Sequence, residues 1–441
     1  MSVIRYWCEW AWITGSAVDG VLATVDDGRF AAVDLGVDCP PDAVRLPGLT
    51  LPGLANSHSH AFHRALRGRG GDVNGSFWTW RDAMYRVAAR LDPDSYHALA
   101  RAVFAEMALA GVTCVGEFHY LHHGPDGRPY GDPNAMGAAL LAAAADAGIR
   151  ITLLDTCYLT STVDGKPLAG PQTRFGDGSA AAWADRVSRL SGGPGHRIGA
   201  AVHSVRAVPE AEMPAVAGWA AATEAPLHVH LSEQPAENRA ALVHYGRTPT
   251  AVLADAGVLG PRTTAVHAVH LTDADRAALG DSGTTICLCP TTERDLADGL
   301  APASALSDAG CEICVGSDSH AVVDMFEEAR GVELHERLRT GRRGLFVPAY
   351  LVAAIAGVGH PALGWPDAGY IGVGARADLV TIALDTVRTA GCRPDSAVFA
   401  ATAADVRRVM VDGREVVRDG HHLLVDDPAR DLATAITAVL P

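Results

Sequence analysis

The chain has 441 residues, of which 48% are hydrophobic and 20% charged, which gives a large core and argues against extensive disorder. A formal net charge of −15 disfavours a nucleic-acid or anionic-membrane partner and obliges any anionic ligand to find a local cluster of Arg and His. Nine scattered cysteines, an odd number, are no disulfide framework and point to a reducing, cytoplasmic setting.

Residues 1–50 read as short strands. Val21–Val25 and Ala31–Leu35 flank the turn Asp26-Asp27-Gly28. Glu9 interrupts the Trp-rich start, so no secretory leader is expected, and no run of about eighteen uncharged apolar residues predicts a membrane span. Eight apolar runs then recur, at 48–57, 112–118, 150–158, 197–205, 225–231, 263–271, 284–290 and 312–320. Ala-rich, helix-like segments separate them, among them 134–147, 179–190, 235–256 and 293–309. Near-continuous apolar strands alternating with helices predict a parallel sheet, and eight such units fit a closed (β/α)8 barrel. A doubly wound open sheet fits less well, because the reactive residues end many different strands and do not gather at one switch point. Residues 370–441 are strand-rich again, with Leu379–Ile382, Val409–Val411 and the hairpin signal Val411-Asp412-Gly413-Arg414. The expected fold is thus α/β: a TIM barrel over 51–365 and a small β-sandwich domain from both termini, 1–50 and 366–441. The loop 119–133 and the Gly-rich stretch 160–179 are long enough to serve an active site. Cys287-x-Cys289 and Cys311-x-x-Cys314 have the flanks of buried strands and read as core thiols.

Chemistry gathers at the ends of the runs. Residues two apart on a strand face the same side, so His58 and His60 of Asn56-Ser57-His58-Ser59-His60 converge at the barrel mouth. The fifth run ends in His228-Val229-His230, with Glu233 three residues on; the sixth carries His267 and the eighth Asp318. Three imidazoles and a carboxylate, His58, His60, His230 and Asp318, suit a borderline divalent ion, most plausibly Zn²⁺, with a position left for water. The ion would lower the pKa of that water, and Glu233, His267 and Asp318 would handle its protons.

The order HxH, His, His and Asp on successive strands resembles the amidohydrolase superfamily, and Gly372-Val373-Gly374-Ala375-Arg376-Ala377-Asp378-Leu379-Val380 is similar to that superfamily's return to its small domain. The resemblance implies one metal ion per chain. Narrower segments resemble the formimidoylglutamate deiminases of histidine degradation: His60–Ala65, Ser76-Phe77-Trp78-Thr79-Trp80-Arg81, Glu117-Phe118-His119-Tyr120-Leu121-His122-His123, His203–Val208 and Cys289–Glu293. That resemblance implies hydrolysis of N-formimidoyl-L-glutamate to N-formyl-L-glutamate and ammonia by attack of zinc-bound hydroxide. It also implies a homodimer, with Arg81, Tyr120, His203 and Arg206 holding the glutamate portion of a small anionic substrate. His63 stands where the family usually has Gln, and is expected to donate to substrate and to titrate near the reference value of about 6.5.

Blander readings stand beside these. Trp78 and Trp80 read as packing, His228 as structural filling, and His119, His122 and His123 as a solvated loop rather than a second metal patch. A deaminase of a heterocycle is the competing activity, disfavoured by two arginines in the proposed pocket. A non-catalytic metal-binding scaffold is disfavoured by Glu233 and His267, which a purely structural zinc does not need.

Overall fold

The first four strands, β1 (Ile4–Ile13), β2 (Ser16–Asp26), β3 (Arg29–Asp34) and β4 (Val44–Pro52), lead into eight shorter ones. These are β5 (Leu54–Ser59), β6 (Val112–His119), β7 (Arg150–Cys157), β8 (His196–Val202), β9 (Leu227–Leu231), β10 (Thr263–His267), β11 (Thr285–Leu288) and β12 (Ile313–Val315). The chain closes with β13 (Leu379–Ile382), β14 (Val406–Val411), β15 (Arg414–Arg418) and β16 (His421–His422). The computed structural model describes residues 3–69 and 75–440.

Strands β5 to β12 lie side by side in chain order, every pairing parallel. A parallel bridge between Ser59 and Asp318 joins the last strand to the first. Asp318 N–H donates to the His58 carbonyl at 3.0 Å, and His60 N–H donates to the Asp318 carbonyl at 3.3 Å. The sheet is therefore a (β/α)8 barrel, and its seam runs between two of the candidate ligands. Gly316 makes that seam possible, since a Cβ there would lie 2.6 Å from the backbone nitrogen and oxygen of His58.

Both termini share the second sheet, in the order β16-β15-β14-β13-β4-β1-β2-β3. Its tight turns have the expected chemistry. Asp27 and Gly28 (φ 45° and 77°) and Asp412 and Gly413 (φ 49° and 73°) both take the left-handed pair that a two-residue hairpin needs. Buried Arg150, at the start of β7, ties the two sheets together: it pairs with Asp378 and, at 3.1 Å, with Asp412.

Two expected helices are broken. The segment 235–256 becomes Pro235–Tyr245 and Pro249–Asp255, because Gly246 (φ 67°) ends the first and the Thr248 hydroxyl caps the second. The segment 293–309 becomes Pro290–Asp295 and Ala303–Asp308, with Ala297 and Gly299 at positive φ between them. Likewise the run 48–57 spans two strands, β4 and β5, that belong to different sheets. The cysteines are free thiols, and Cys287, Cys289 and Cys314 pack with Val266 in a buried apolar cluster. Among the described residues no helix is long and apolar enough to cross a membrane.

Candidate active site

His58 lies near the end of β5 and His60 just beyond it, His230 lies on β9, and Asp318 follows β12. All four are buried, and one potential ligand atom from each lies within 4.8 Å of the others. Asp318 Oδ1 is 3.3 Å from His58 Nε2 and 3.4 Å from His60 Nε2, and His58 and His230 face each other Nε2 to Nε2 at 3.1 Å. The far ring nitrogens explain the aim. His60 Nδ1 donates to the Phe118 carbonyl and His230 Nδ1 to the His203 carbonyl, both at 2.9 Å, so each Nε2 is left with its lone pair toward the centre.

Electrostatics favour the same protonation states. Burial holds His58, His60 and His230 below the ordinary imidazole range, His60 at about 3, and neutral imidazole is the form that binds a metal. Burial opposes the charge of Asp318, yet His58, His267 and His60 outweigh it and hold the carboxyl well below its usual range. Left-handed backbone marks these strand ends: Ser232 (φ 49°), His267 (72°), Ala268 (50°), Asp318 (38°) and His320 (59°). Each non-glycine residue there costs roughly 1–2 kcal/mol, and such strain concentrates where side-chain aim is functional.

His267 stands among three carboxylates: Nε2 is 3.7 Å from Glu233 and 3.8 Å from Asp318, and Nδ1 is 3.6 Å from Glu293. Burial lowers its proton affinity, but these neighbours, Glu233 foremost, push the pKa up to about 10. Burial raises Glu233, against the pull of His267 and Arg206. Buried Asp298, which lies close to Glu233 and His267, is pushed up to about 9 by burial and then by Glu233. Behind β5, Glu117 accepts the Ser59 hydroxyl and the Ala61 N–H, each at 2.6 Å, and so braces the turn between the two histidines.

A cavity opens above this centre. Its wall includes His63, Arg81, Tyr120, His203, Arg206 and Glu233, so every proposed substrate contact borders one space. His63 Nε2 shares a 2.9 Å hydrogen bond with the Tyr120 hydroxyl. Burial and then His60 hold the His63 pKa well below the usual value, which runs against titration near neutrality. Trp80 packs in the cavity wall, and Trp78 lies 4.6 Å from the Arg81 guanidinium as a cation–π partner. His228 is indeed filling: its Nε2 meets the Ala362 carbonyl at 3.1 Å.

The solvated-loop reading of His119, His122 and His123 is wrong. All three are buried, against Asp155 and Asp177. Asp155 Oδ1 accepts from Trp183 Nε1 at 2.9 Å and from Arg186 at 2.8 Å, and its Oδ2 accepts from Arg186 at 2.9 Å. His122 Nε2 is taken by the Thr156 carbonyl at 2.9 Å. The loop that carries Tyr120 is thus seated on a buried ion-pair network.

Several residues in or behind the pocket were not singled out from sequence. Tyr85 and Tyr158 line the cavity, and their hydroxyls accept from Gln172 Nε2 at 3.1 and 3.0 Å. Tyr158 ends the third apolar run, and its place at a strand end was the available signal. Glu237 and Asp298 gave none, since each reads as a routine surface acid.

The model of the amidohydrolase family matches residues 49–416. The chain belongs to the amidohydrolase family. It is accordingly a metal-dependent hydrolase of carbon–nitrogen bonds. It is 37% identical over 442 residues to a formimidoylglutamate deiminase of Pseudomonas aeruginosa, covering 96% of this chain and 95% of that one. It is 32% identical over 416 residues to an 8-oxoguanine deaminase of the same organism, covering 90% and 89%. The crystal structure of an amidohydrolase from Brucella melitensis superposes with a TM-score of 0.91 at 31% identity, over 99% of this chain and 100% of that chain.

Proposed function

We propose that this amidohydrolase converts N-formimidoyl-L-glutamate and water to N-formyl-L-glutamate and ammonia. The observation that carries this reading is the shared cavity. Two arginines, a tyrosine and a buried histidine border the same space as the His58, His60, His230 and Asp318 centre. A heterocyclic base needs no such pair of cations, whereas a dicarboxylate in a chain of net charge −15 does. Similarity to the deiminase, higher than that to the 8-oxoguanine deaminase, points the same way. The reading brings with it a homodimer, a cytoplasmic location and a place in histidine degradation. It also divides the chain into a catalytic barrel, 51–365, and a β domain from 1–50 and 366–441, which the two separate sheets support.

The donor set fits one Zn²⁺ per chain: three inward Nε2 atoms, those of His60 and His230 fixed by backbone carbonyls, and one ionised carboxylate. Such an ion lowers the pKa of a water ligand toward neutrality. The protein's own groups do the rest. His267, kept protonated by its carboxylate neighbours, would orient the water, and Asp318, 3.8 Å from it, would accept the water's proton. Glu233 would relay both protons of the water to the formimidoyl nitrogen, the second from the hydroxyl left on carbon, so that the carbon–nitrogen bond breaks to release ammonia and leaves the formyl oxygen on carbon. Arg81, Arg206, Tyr120, His203 and His63 hold the far end, which keeps the reacting carbon over the centre.

Ammonia release from purified enzyme tests the reading, with formimidoyl-glutamate, formimidoyl-aspartate, formimidoyl-glycine, guanine and cytosine as substrates. The expected result is the highest kcat/KM on formimidoyl-glutamate. A preference for either base would overturn the assignment while leaving the family membership intact.

A further inference from the structure

The two arginines of the pocket are held in different ways. Arg81 lies against aromatic faces, 4.6 Å from the centroid of Trp78 and 5.5 Å from that of Tyr85, and among the described residues it pairs with no carboxylate. Arg206 has a dedicated anion behind it. Its Nε is 2.6 Å from Glu237 Oε2, an ion pair without hydrogen-bond alignment, while its Nη2 is 3.7 Å from Glu233 Oε2. Glu237 is buried and does not line the cavity, whereas Arg206 and Glu233 do.

Glu237 is itself pinned. It sits in the first turn of helix Pro235–Tyr245, where a negative charge is favoured, and its Oε1 accepts the Ser232 N–H at 2.9 Å. Ser232 is one of the left-handed residues, at φ 49°, so its N–H is aimed by the same strained strand end that presents His230 and Glu233. A guanidinium is a planar fork. With the Glu237 carboxylate against the Nε side of the guanidinium, the Nη edge is the part left to reach a ligand. Without Glu237, the carboxylate nearest to Arg206 is Glu233, and Coulomb attraction would draw the fork toward the reacting centre and away from the far end of the pocket.

We propose that Glu237 is the positioning residue that keeps Arg206 off Glu233 and aimed at a substrate carboxylate, and so sets the preference for a dicarboxylate. The proposal rests on the reading that the pocket takes formimidoyl-glutamate.

The test measures binding of the product N-formyl-L-glutamate and of its two monocarboxamides, N-formyl-L-glutamine and N-formyl-L-isoglutamine, by calorimetry on the metal-loaded enzyme. Wild type is expected to prefer the dicarboxylate over both. Glu237→Gln keeps an oxygen for the Ser232 N–H but loses the charge. The preference over one carboxamide is expected to fall at least about tenfold, a difference of about 1.4 kcal/mol, with metal content unchanged. Glu237→Asp keeps the charge but is too short to hold Ser232 and Arg206 together, so it should lose the preference as well. It carries the test if the Gln variant does not fold. An unchanged preference in the variants, or tighter dicarboxylate binding by Glu237→Gln, would overturn the proposal. A wild type that does not distinguish the three ligands would instead overturn the substrate reading, and this proposal with it.

Discussion

Two buried clusters in this barrel are built from the same kinds of side chain. One joins His58, His60, His230 and Asp318; the other joins His119, His122 and Asp155. Each has imidazole and carboxylate atoms within 4.8 Å of one another. What separates them is what the carboxylate already holds. Asp318 faces the Nε2 atoms of His58 and His60 at 3.3 and 3.4 Å, and among the described residues no arginine pairs with it. Both oxygens of Asp155 are taken by Arg186, and Oδ1 by Trp183 as well. A guanidinium on the carboxylate supplies the positive charge that a metal would bring. The second cluster therefore reads as a brace and the first as the proposed metal centre, and burial and composition do not tell them apart.

The largest effect should come from removing the charge of the first carboxylate. Asp318→Asn is expected to abolish ammonia release and to weaken metal binding beyond the roughly 10–100-fold seen for outer partners of ligands. Elemental analysis of wild type should give about one Zn²⁺ per chain, by the four-ligand argument. A variant that retains full metal and turnover would dissolve the distinction between the clusters.

The same operation on the brace should act on stability instead. Arg186→Met leaves Asp155 and Asp177 buried without their partner, which typically costs about 3–5 kcal/mol. Urea unfolding should show the loss while metal content stays at the wild-type value. A well-folded Arg186→Met enzyme that had lost its zinc would mean that the two clusters are one unit.

The smallest effect concerns the residue beside the first cluster. His63→Ala removes one hydrogen bond to Tyr120 and, on the present reading, one to substrate. KM should rise by the equivalent of about 1 kcal/mol, and His63→Gln should restore most of it. Because burial keeps His63 neutral, no titration near pH 6.5 should disappear from the rate profile of the Ala variant. A lost ionisation there would show that His63 gains a proton in the working enzyme.

Much of this was legible in sequence for a physical reason. A strand fixes alternate residues on one face, and a barrel brings every strand end to one rim. His58, His60, His230, His267 and Asp318 could thus be assigned to a common centre from spacing and order alone. Asp-Gly turns and apolar runs marked both sheets, because those signals act over a few residues.

Tertiary structure alone decided the long-range electrostatics. His122 and His123 follow a strand in a polar stretch, and only the approach of Asp155 and Arg186 from later elements turns that stretch into a buried network. Glu237 looks like any acid in a first helical turn until Arg206, thirty-one positions earlier in the chain, is found 2.6 Å from it. His63 has the neutral-range pKa of free imidazole only while it is exposed, and its burial is a property of the folded wall. Charge and protonation depend on every neighbour within several ångströms, whichever element supplies it, and sequence spacing does not encode those neighbours.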